Sequence, residues 1–493
     1  MLCLTPFAVR TPAFRLISQP ARRVQPRLPG FFASIVTLLA VTSVALLLPN
    51  LAFADGVPAP AAATVETGHA WLNRLQALLG ICVMVAGAWW FRERRAGQVF
   101  PIRVVVGGLS LQLVLGVLIL KTPIGEPVFA AVNDAFIALM AYSDAGAGFL
   151  FGDLIAKPGG GEHWWVKSGA FIGFSVLPTI IFFSSLMAVL YHLGVMIRVV
   201  RLFSRVIARA LGTSGAETLS ATGNIFVGQT EAPLLVRPFL DTMTRSELNT
   251  VMVGGFATVA GGVMAAYVGM LQPHFPDIAG HLLAASLMSA PAALVIGKLL
   301  VPETETPVTS AGAKIEVERV YANVIEAAAT GASDGLKLAV NVGAMLLAFI
   351  ALIALFNGLI AGLFGLFGLA GWTLQQLLGV VMAPVAWLLG VDASEAAKVG
   401  TLLGVKTVIN EFVAYLDLAQ NLASAAPLSE RSRIIATYAL CGFANFSSIG
   451  IQIGGISAIA PSRKRELSVL GLRAMIGGTL GAFMTAALAG LLV

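Results

Sequence analysis

Charge is scarce in this sequence. Asp, Glu, Lys and Arg make up 11% of its 493 residues, against about 25% in ordinary soluble domains. So few charges cannot clothe a water-facing surface, which excludes a soluble fold. A polytopic membrane protein is expected instead, in keeping with a mean hydropathy of +0.87. Cysteine is rarer still. Cys3, Cys82 and Cys441 share no ligand spacing and no even pairing, so neither a disulfide scaffold nor a metal knot is indicated. Histidines scattered between His69 and His281 add no metal motif. Walker, zinc and covalent-nucleophile patterns are missing too, so no enzyme and no cofactor are expected. The formal charge of +6 does not point to nucleic acid, because the basic residues are sparse and sit beside apolar spans. Glycine is plentiful at 52 residues, which suits helices that pack closely in lipid.

Residues 1–30 carry Arg10, Arg15, Arg22, Arg23 and Arg27 with no acidic residue, and "FFASIVTLLAVTSVALLL" follows from Phe31 to Leu48. An Ala-x-Ala ends at Ala54. Residues 1–54 therefore read as a cleaved signal, or as an extra N-terminal span, since the apolar core is long for the one and short for the other. Both readings place Asp55 onward outside the cytoplasm. Residues 55–70, with "GVPAPAAAT", form a linker.

Apolar stretches predict spans near Leu75–Phe91, Val104–Leu120, Phe171–Tyr191, Leu248–Leu271, His281–Leu299, Leu338–Ile360, Ile434–Ile459 and Met475–Leu492. "FRERR" after the first span, Glu303–Glu318 and "PSRKRE" at Pro461–Glu466 are expected in the cytoplasm. Between the second and third spans, "VFAAVNDAFIALMAYSDAGAGFLFGDL" is interrupted by Asn133, Asp134 and Asp144, which favours an interface-lying helix over a crossing. Arg198, Arg201, Arg205 and Arg209 share one helical face. Directly after a span, such a stripe fits anionic headgroups better than a nucleic acid.

Two segments resist this scheme. "GNIFVGQTEAPLLV" (Gly223–Val236) sets Gln229, Thr230 and Glu231 side by side, and "AAKVGTLLGVKTVINEFVAYLDL" (Ala396–Leu418) carries Lys398, Lys406, Asn410, Glu411 and Asp417. Helical hairpins that enter the membrane and return explain both, provided protein surrounds them. Each hairpin follows a span and an interfacial helix, Arg198–Arg209 in one half and Gly371–Val391 in the other. Each precedes a broken span, interrupted at "TVAGG" (Thr258–Gly262) or at "NFSSIG" (Asn445–Gly450). The halves, residues 171–310 and 311–493 after scaffold spans and an interfacial helix in 71–170, would be inverted with respect to each other. Inverted repeats with interrupted helices are the secondary-transporter pattern, with the site at the repeat interface.

Acids within the membrane are costly and usually face a cavity, an ion or a partner. Glu231 with Gln229 and Thr230, and Glu411 opposite Asn445 and Ser448, offer carboxylates, amides and hydroxyls. A solute with sugar hydroxyls and a heteroaromatic base matches this set, and so would an amino acid or a sugar. A phosphorylated nucleotide does not, because the acids repel it. A channel would need a continuous polar pore rather than two hairpins and two breaks. A non-transporting membrane protein remains open at this point.

"NIFVGQTEAPLLVRPF" (Asn224–Phe239), "NVIEAAATGASDGLKLAVNVGAMLLAF" (Asn323–Phe349), "VINEFVAYL" (Val408–Leu416) and "CGFANFSSIGIQIGG" (Cys441–Gly455) resemble the concentrative nucleoside transporter family. The resemblance runs from about Leu75 to the C-terminus. It implies an all-α polytopic membrane fold with eight transmembrane helices, three interfacial helices and two re-entrant hairpins. It also implies a homotrimer in the bacterial inner membrane and elevator-like alternating access. Gln229, Thr230 and Glu231 would face the nucleobase with Val263, while Glu411, Asn445 and Ser448 would bind the ribose and Phe443 would line the pocket. The family's sodium site maps onto side-chain oxygens of Asn224 and Thr258 and main-chain carbonyls of Val227 and Val259. The polar residues also allow a plainer account, in which Asn224 caps a helix, Thr258 bonds its own i−4 carbonyl and a proton rides on a carboxylate. Sodium is the expected coupling ion, with a proton as the alternative.

Overall fold

The computed structural model describes residues 70–122, 125–155, 172–310, 321–366 and 372–493. The expected signal or extra span in 1–54, the linker up to residue 69 and part of the Glu303–Glu318 loop lie outside them. Every regular element among the described residues is helical. In order, the α-helices longer than a single turn are α1 (Ala70–Trp90), α2 (Ile102–Lys121), α3 (Gly125–Phe151), α4 (Leu177–His192), α5 (Val195–Leu211), α6 (Gly215–Gly223), α7 (Arg245–Ala257), α8 (Gly261–Leu271), α9 (Ile278–Leu300) and α10 (Val324–Gly365). Then follow α11 (Leu374–Leu388), α12 (Ala396–Val408), α13 (Glu411–Leu422), α14 (Glu430–Leu440), α15 (Phe446–Ile459) and α16 (Lys464–Leu492).

Among the described residues 7 helices are long and apolar enough to cross a membrane, or 8 if the pair α4 and α5 counts as one span. That pair bends by 77° at Gly194, whose φ of 72° is a left-handed conformation that suits glycine. The bend agrees with the expected arginine-bearing interfacial helix. On α5, Met196, Val200, Ser204, Ile207 and Leu211 are buried, while Arg198, Arg205 and Arg209 are exposed.

The stretch interrupted by Asn133, Asp134 and Asp144 is one continuous helix of 27 residues, α3, and its Pro127–Phe151 part meets the length and hydropathy of a span. One of its interrupting groups is satisfied, because Asn133 Oδ1 accepts from the Gly280 amide at 3.3 Å. Ile434–Ile459 is a broken span as expected, with its break just N-terminal to Asn445–Gly450. It divides into α14 and α15 around Cys441–Asn445, and neither part alone is long enough to cross.

Burial separates a core from a periphery. The apolar windows of Arg245–Leu271 and Ile278–Leu300 are 89% buried, whereas that of Val324–Gly365 is 11% buried. The 42-residue α10 thus shows most of its apolar surface outward, and it packs chiefly along α4, where Ser185 Oγ donates to the Ala328 carbonyl at 2.9 Å.

The basic loops converge at one end. Glu93 in the loop after α1 takes hydrogen bonds from Arg245 Nε at 3.0 Å and Arg473 Nη1 at 2.9 Å. Arg463 Nη1 donates to the carbonyls of Leu240, Asp241 and Met243. Lys298, at the end of α9, reaches Glu303 at 3.1 Å. One face therefore gathers the loops that sequence assigns to the cytoplasm.

The order of elements recurs. A span (α4), a helix set across it (α5), a hairpin (α6, a tip and the 3₁₀ turn Ala232–Phe239) and a broken span (α7–α8) are echoed by α10, α11, the hairpin α12–α13 and the broken span α14–α15. The two breaks touch. Gly442, at φ 143°, lies so near the end of α7 that a Cβ there would stand 2.7 Å from the Phe256 carbonyl oxygen.

Candidate functional site

The site grows out of helix ends. Thr258–Ala260 interrupts α7 and α8, Cys441–Asn445 interrupts α14 and α15, and the hairpin tips lie at Asn224–Glu231 and Ile409–Asn410. Broken backbone needs substitute hydrogen bonds, and short polar side chains supply them. Asn410 caps α13 by accepting from the Val413 amide at 2.9 Å. Asn445 caps α15 by accepting from the Ser448 amide at 2.9 Å. Each cap sets a functional group: Glu411 follows Asn410 directly, and the capping bond turns the Asn445 amide nitrogen the other way.

That nitrogen donates to Glu411 Oε2 at 2.9 Å, while Tyr267 Oη on α8 donates to Glu411 Oε1 at 2.9 Å. The second hairpin's carboxylate is thus gripped by both broken spans. On the other side, Gln229 Nε2 from the first hairpin donates to Ser448 Oγ at 3.4 Å, and Gln452 Nε2 on α15 donates to Gln229 Oε1 at 3.1 Å. Gln229, Ser448, Asn445 and Glu411 therefore form one buried chain of hydrogen bonds. Four residues singled out from sequence meet here.

The other expected substrate residues lie around this chain. Thr230 packs against Gly455 of α15, at a distance that leaves no space for a side chain there. Val263 is buried near the start of α8, and Phe443 is half-buried in the second break. Glu231 stands apart from the chain. It is exposed on a cavity of about 1110 Å³ whose lining includes Tyr191, Arg237, Tyr321 and Asp334.

The residues expected to bind the ion lie at the junction of the first hairpin and the first break. Asn224 and Thr258 are buried, as is Val259, and Val227 is half-buried. The Gly261 amide donates to the Phe226 carbonyl at 3.1 Å, tying the tip to the break. Thr258 Oγ1 donates to the Gly254 carbonyl at 2.9 Å, which keeps its lone pairs available. Asn224 Nδ2 donates to the Ser220 carbonyl at 3.2 Å. Asn224 Oδ1 is buried and has no hydrogen-bond partner among the described residues. Such an acceptor costs about 1–3 kcal/mol unless a cation or water meets it, so this oxygen, a hydroxyl and nearby freed carbonyls fit a small cation.

Sequence reasoning missed Tyr267 and Gln452. Both were marked by helical spacing. Tyr267 lies four residues after Val263, and Gln452 continues the polar face of Asn445 and Ser448 along a mostly apolar helix.

Comparison with known proteins meets this geometry. Profiles described as Na+ dependent nucleoside transporter N-terminus, nucleoside recognition, and Na+ dependent nucleoside transporter C-terminus match residues 79–154, 173–274 and 281–490. An uncharacterized transporter of Haemophilus influenzae is 46% identical over 427 residues, which cover 86% of this chain and 98% of its own. The chain belongs to the concentrative nucleoside transporter family. Sodium/nucleoside cotransporter 1 of Mus musculus is 39% identical over 434 residues, covering 85% of this chain and 64% of its own. A solved structure of CNTnw in an inward-facing substrate-bound state aligns with a TM-score of 0.78 at 44% identity, covering 85% of this chain and 97% of that one. This nucleoside transporter family member has the family's elevator fold and is a transport protein rather than an enzyme. It is a multi-pass protein of the bacterial inner membrane.

Proposed function

We propose that this transporter imports nucleosides such as uridine, cytidine and adenosine, driven by the sodium gradient, as a homotrimer whose protomers each work by elevator-type alternating access. The observation that carries the substrate reading is the grip on Glu411. A carboxylate held from both sides by Tyr267 and Asn445 keeps lone pairs for a vicinal diol, and a ribose offers one. Ser448, next along the chain, adds a hydroxyl for the same ribose, and Gln229 beyond it supplies an amide for a base. An amino acid would bring an ammonium group but no diol, and a nucleotide would bring phosphates to a chain that holds no arginine.

The orphaned Asn224 Oδ1 supports sodium over a proton, because a neutral amide oxygen binds a cation and cannot take up a proton at physiological pH. The mouse relative, a sodium/nucleoside cotransporter, points the same way. The long apolar surface of α10 is compatible with a scaffold helix that meets other protomers, and the trimer itself rests on the family resemblance. Alternating access follows from a site that is buried between hairpins and breaks.

Radiolabelled uridine in proteoliposomes tests the reading. Uridine should concentrate above the external level under an inward sodium gradient, and choline in place of sodium at fixed pH should abolish this. Accumulation that follows a pH gradient without sodium makes the protein a proton symporter. Mere equilibration makes it a channel.

A further inference from the structure

The hydrogen-bond chain has a direction, and main-chain groups fix it. At one end Gln452 Nε2 donates to the Met252 carbonyl at 3.1 Å. A carbonyl can only accept, so the Gln452 amide must present its nitrogen there. The same nitrogen donates to Gln229 at 3.1 Å, so the Gln229 atom that meets it must be the oxygen. The Gln229 nitrogen is then left to point onward, toward Ser448. At the other end the Ser448 amide, which can only donate, fixes Asn445 Oδ1 as the acceptor and its nitrogen as the donor to Glu411. Neither amide is free to turn over. The reversed Gln452 would set oxygen against oxygen at Met252, which explains why its own Oε1 is left buried without a partner among the described residues.

We infer that Gln452, which is fully buried, is a specificity-determining positioning residue: it locks Gln229 as a hydrogen-bond donor, so that the site selects bases with a ring carbonyl on the edge remote from the ribose over bases with an amino group there. The inference rests on the proposed reading that Glu411 holds the ribose and Gln229 faces the base. Gln229 stands at the far end of the chain from Glu411, where the 4-position of a pyrimidine or the 6-position of a purine would lie. An exocyclic amine meeting an N–H donor leaves both groups unpaired, and buried polar sites reject such mismatches strongly. Gly255 makes the arrangement possible. A Cβ on it would stand 2.6 Å from Gln452 Nε2 and 2.9 Å from Gln229 Cβ, so only glycine lets both amides settle on α7.

Equilibrium binding to the purified full-length protein in sodium tests this, with uridine, cytidine and pyrimidin-2-one riboside, which has neither group at the 4-position. Wild type should bind uridine about tenfold more tightly than either of the others, the worth of one hydrogen bond in a closed site. Gln452→Met, of similar shape but without a donor, lets Gln229 turn over and should bring uridine and cytidine to within about twofold. A structural role alone would weaken all three ligands together and keep their ratio. Wild-type affinities that do not rank uridine first overturn the inference, whether or not any variant folds. An unchanged ratio in Gln452→Met overturns it as well, and Gly255→Ala, which displaces both amides, serves as the second variant with the same two outcomes. Binding of all three ligands without discrimination removes only the role of Gln452. A wild type that binds none of them removes the nucleoside reading, and the inference with it.

Discussion

Glu411→Gln tests the centre of the site. The side chain keeps its shape, and the structure shows how it would settle. Oε2 accepts from Asn445, whose nitrogen cannot become an acceptor, whereas Oε1 accepts from Tyr267, whose hydroxyl can reverse. The glutamine would therefore turn its oxygen to Asn445 and its nitrogen to Tyr267, and both 2.9 Å contacts would survive in altered form. Insertion and folding should survive too, because a buried charge is removed rather than added. What is lost is the negative charge and one accepting edge toward the ligand diol. Hydrogen bonds to a charged acceptor are worth about 1.5–3 kcal/mol, so uridine affinity should fall roughly tenfold to over a hundredfold. Titration of the purified variant, alongside 2′,3′-dideoxyuridine, provides the check. The dideoxy analogue should bind wild type and variant equally. Unchanged uridine affinity, or an equal loss for the analogue, would refute the assignment of Glu411 to the ribose.

Thr258→Ala removes one proposed sodium oxygen and should raise the sodium concentration for half-maximal uptake about tenfold, with saturating sodium restoring much of the uridine affinity by linkage. Thr258→Ser should stay near wild type, and sodium titrations of both at two fixed pH values that came out flat would leave the hydroxyl only its bond to Gly254. Gly442→Ala forces a side chain into a left-handed residue beside the Phe256 carbonyl and should destabilise the protein by more than about 1 kcal/mol; thermal unfolding in detergent measures it. Glu93 lies in a loop, where burial alone would raise its carboxyl, but Arg245, with Arg95 and Arg473, outweighs this and holds it below its ordinary value of 4.5. Its stabilising contribution is therefore full above about pH 4.5 and is lost as pH falls through the lower folded-state value. Glu93→Gln should lower stability by about 1.5–3 kcal/mol at neutral pH, with a gap from wild type that closes in acid.

Sequence by itself determined the class of this protein. Charge scarcity ruled out a water-facing surface, and apolar length set most of the crossings, because lipid leaves backbone groups no partner outside a helix. Polar residues stranded in Gly223–Val236 and Ala396–Leu418 exposed the hairpins for the same reason. Gln229, Glu411, Asn445 and Ser448 could be picked out singly, since each is expensive where it stands. The partner of Asn133 on α3, an amide from α9, is one that no local pattern reveals. Only the tertiary structure decided who meets whom. Tyr267 and Glu411 are 144 residues apart in sequence, and Gln229 and Gln452 are 223 apart, so neither pairing leaves a periodic trace. The direction of the amides was likewise beyond the sequence. It depends on the Met252 carbonyl and the Ser448 amide, main-chain groups that every residue carries and that only the fold brings to a particular side chain.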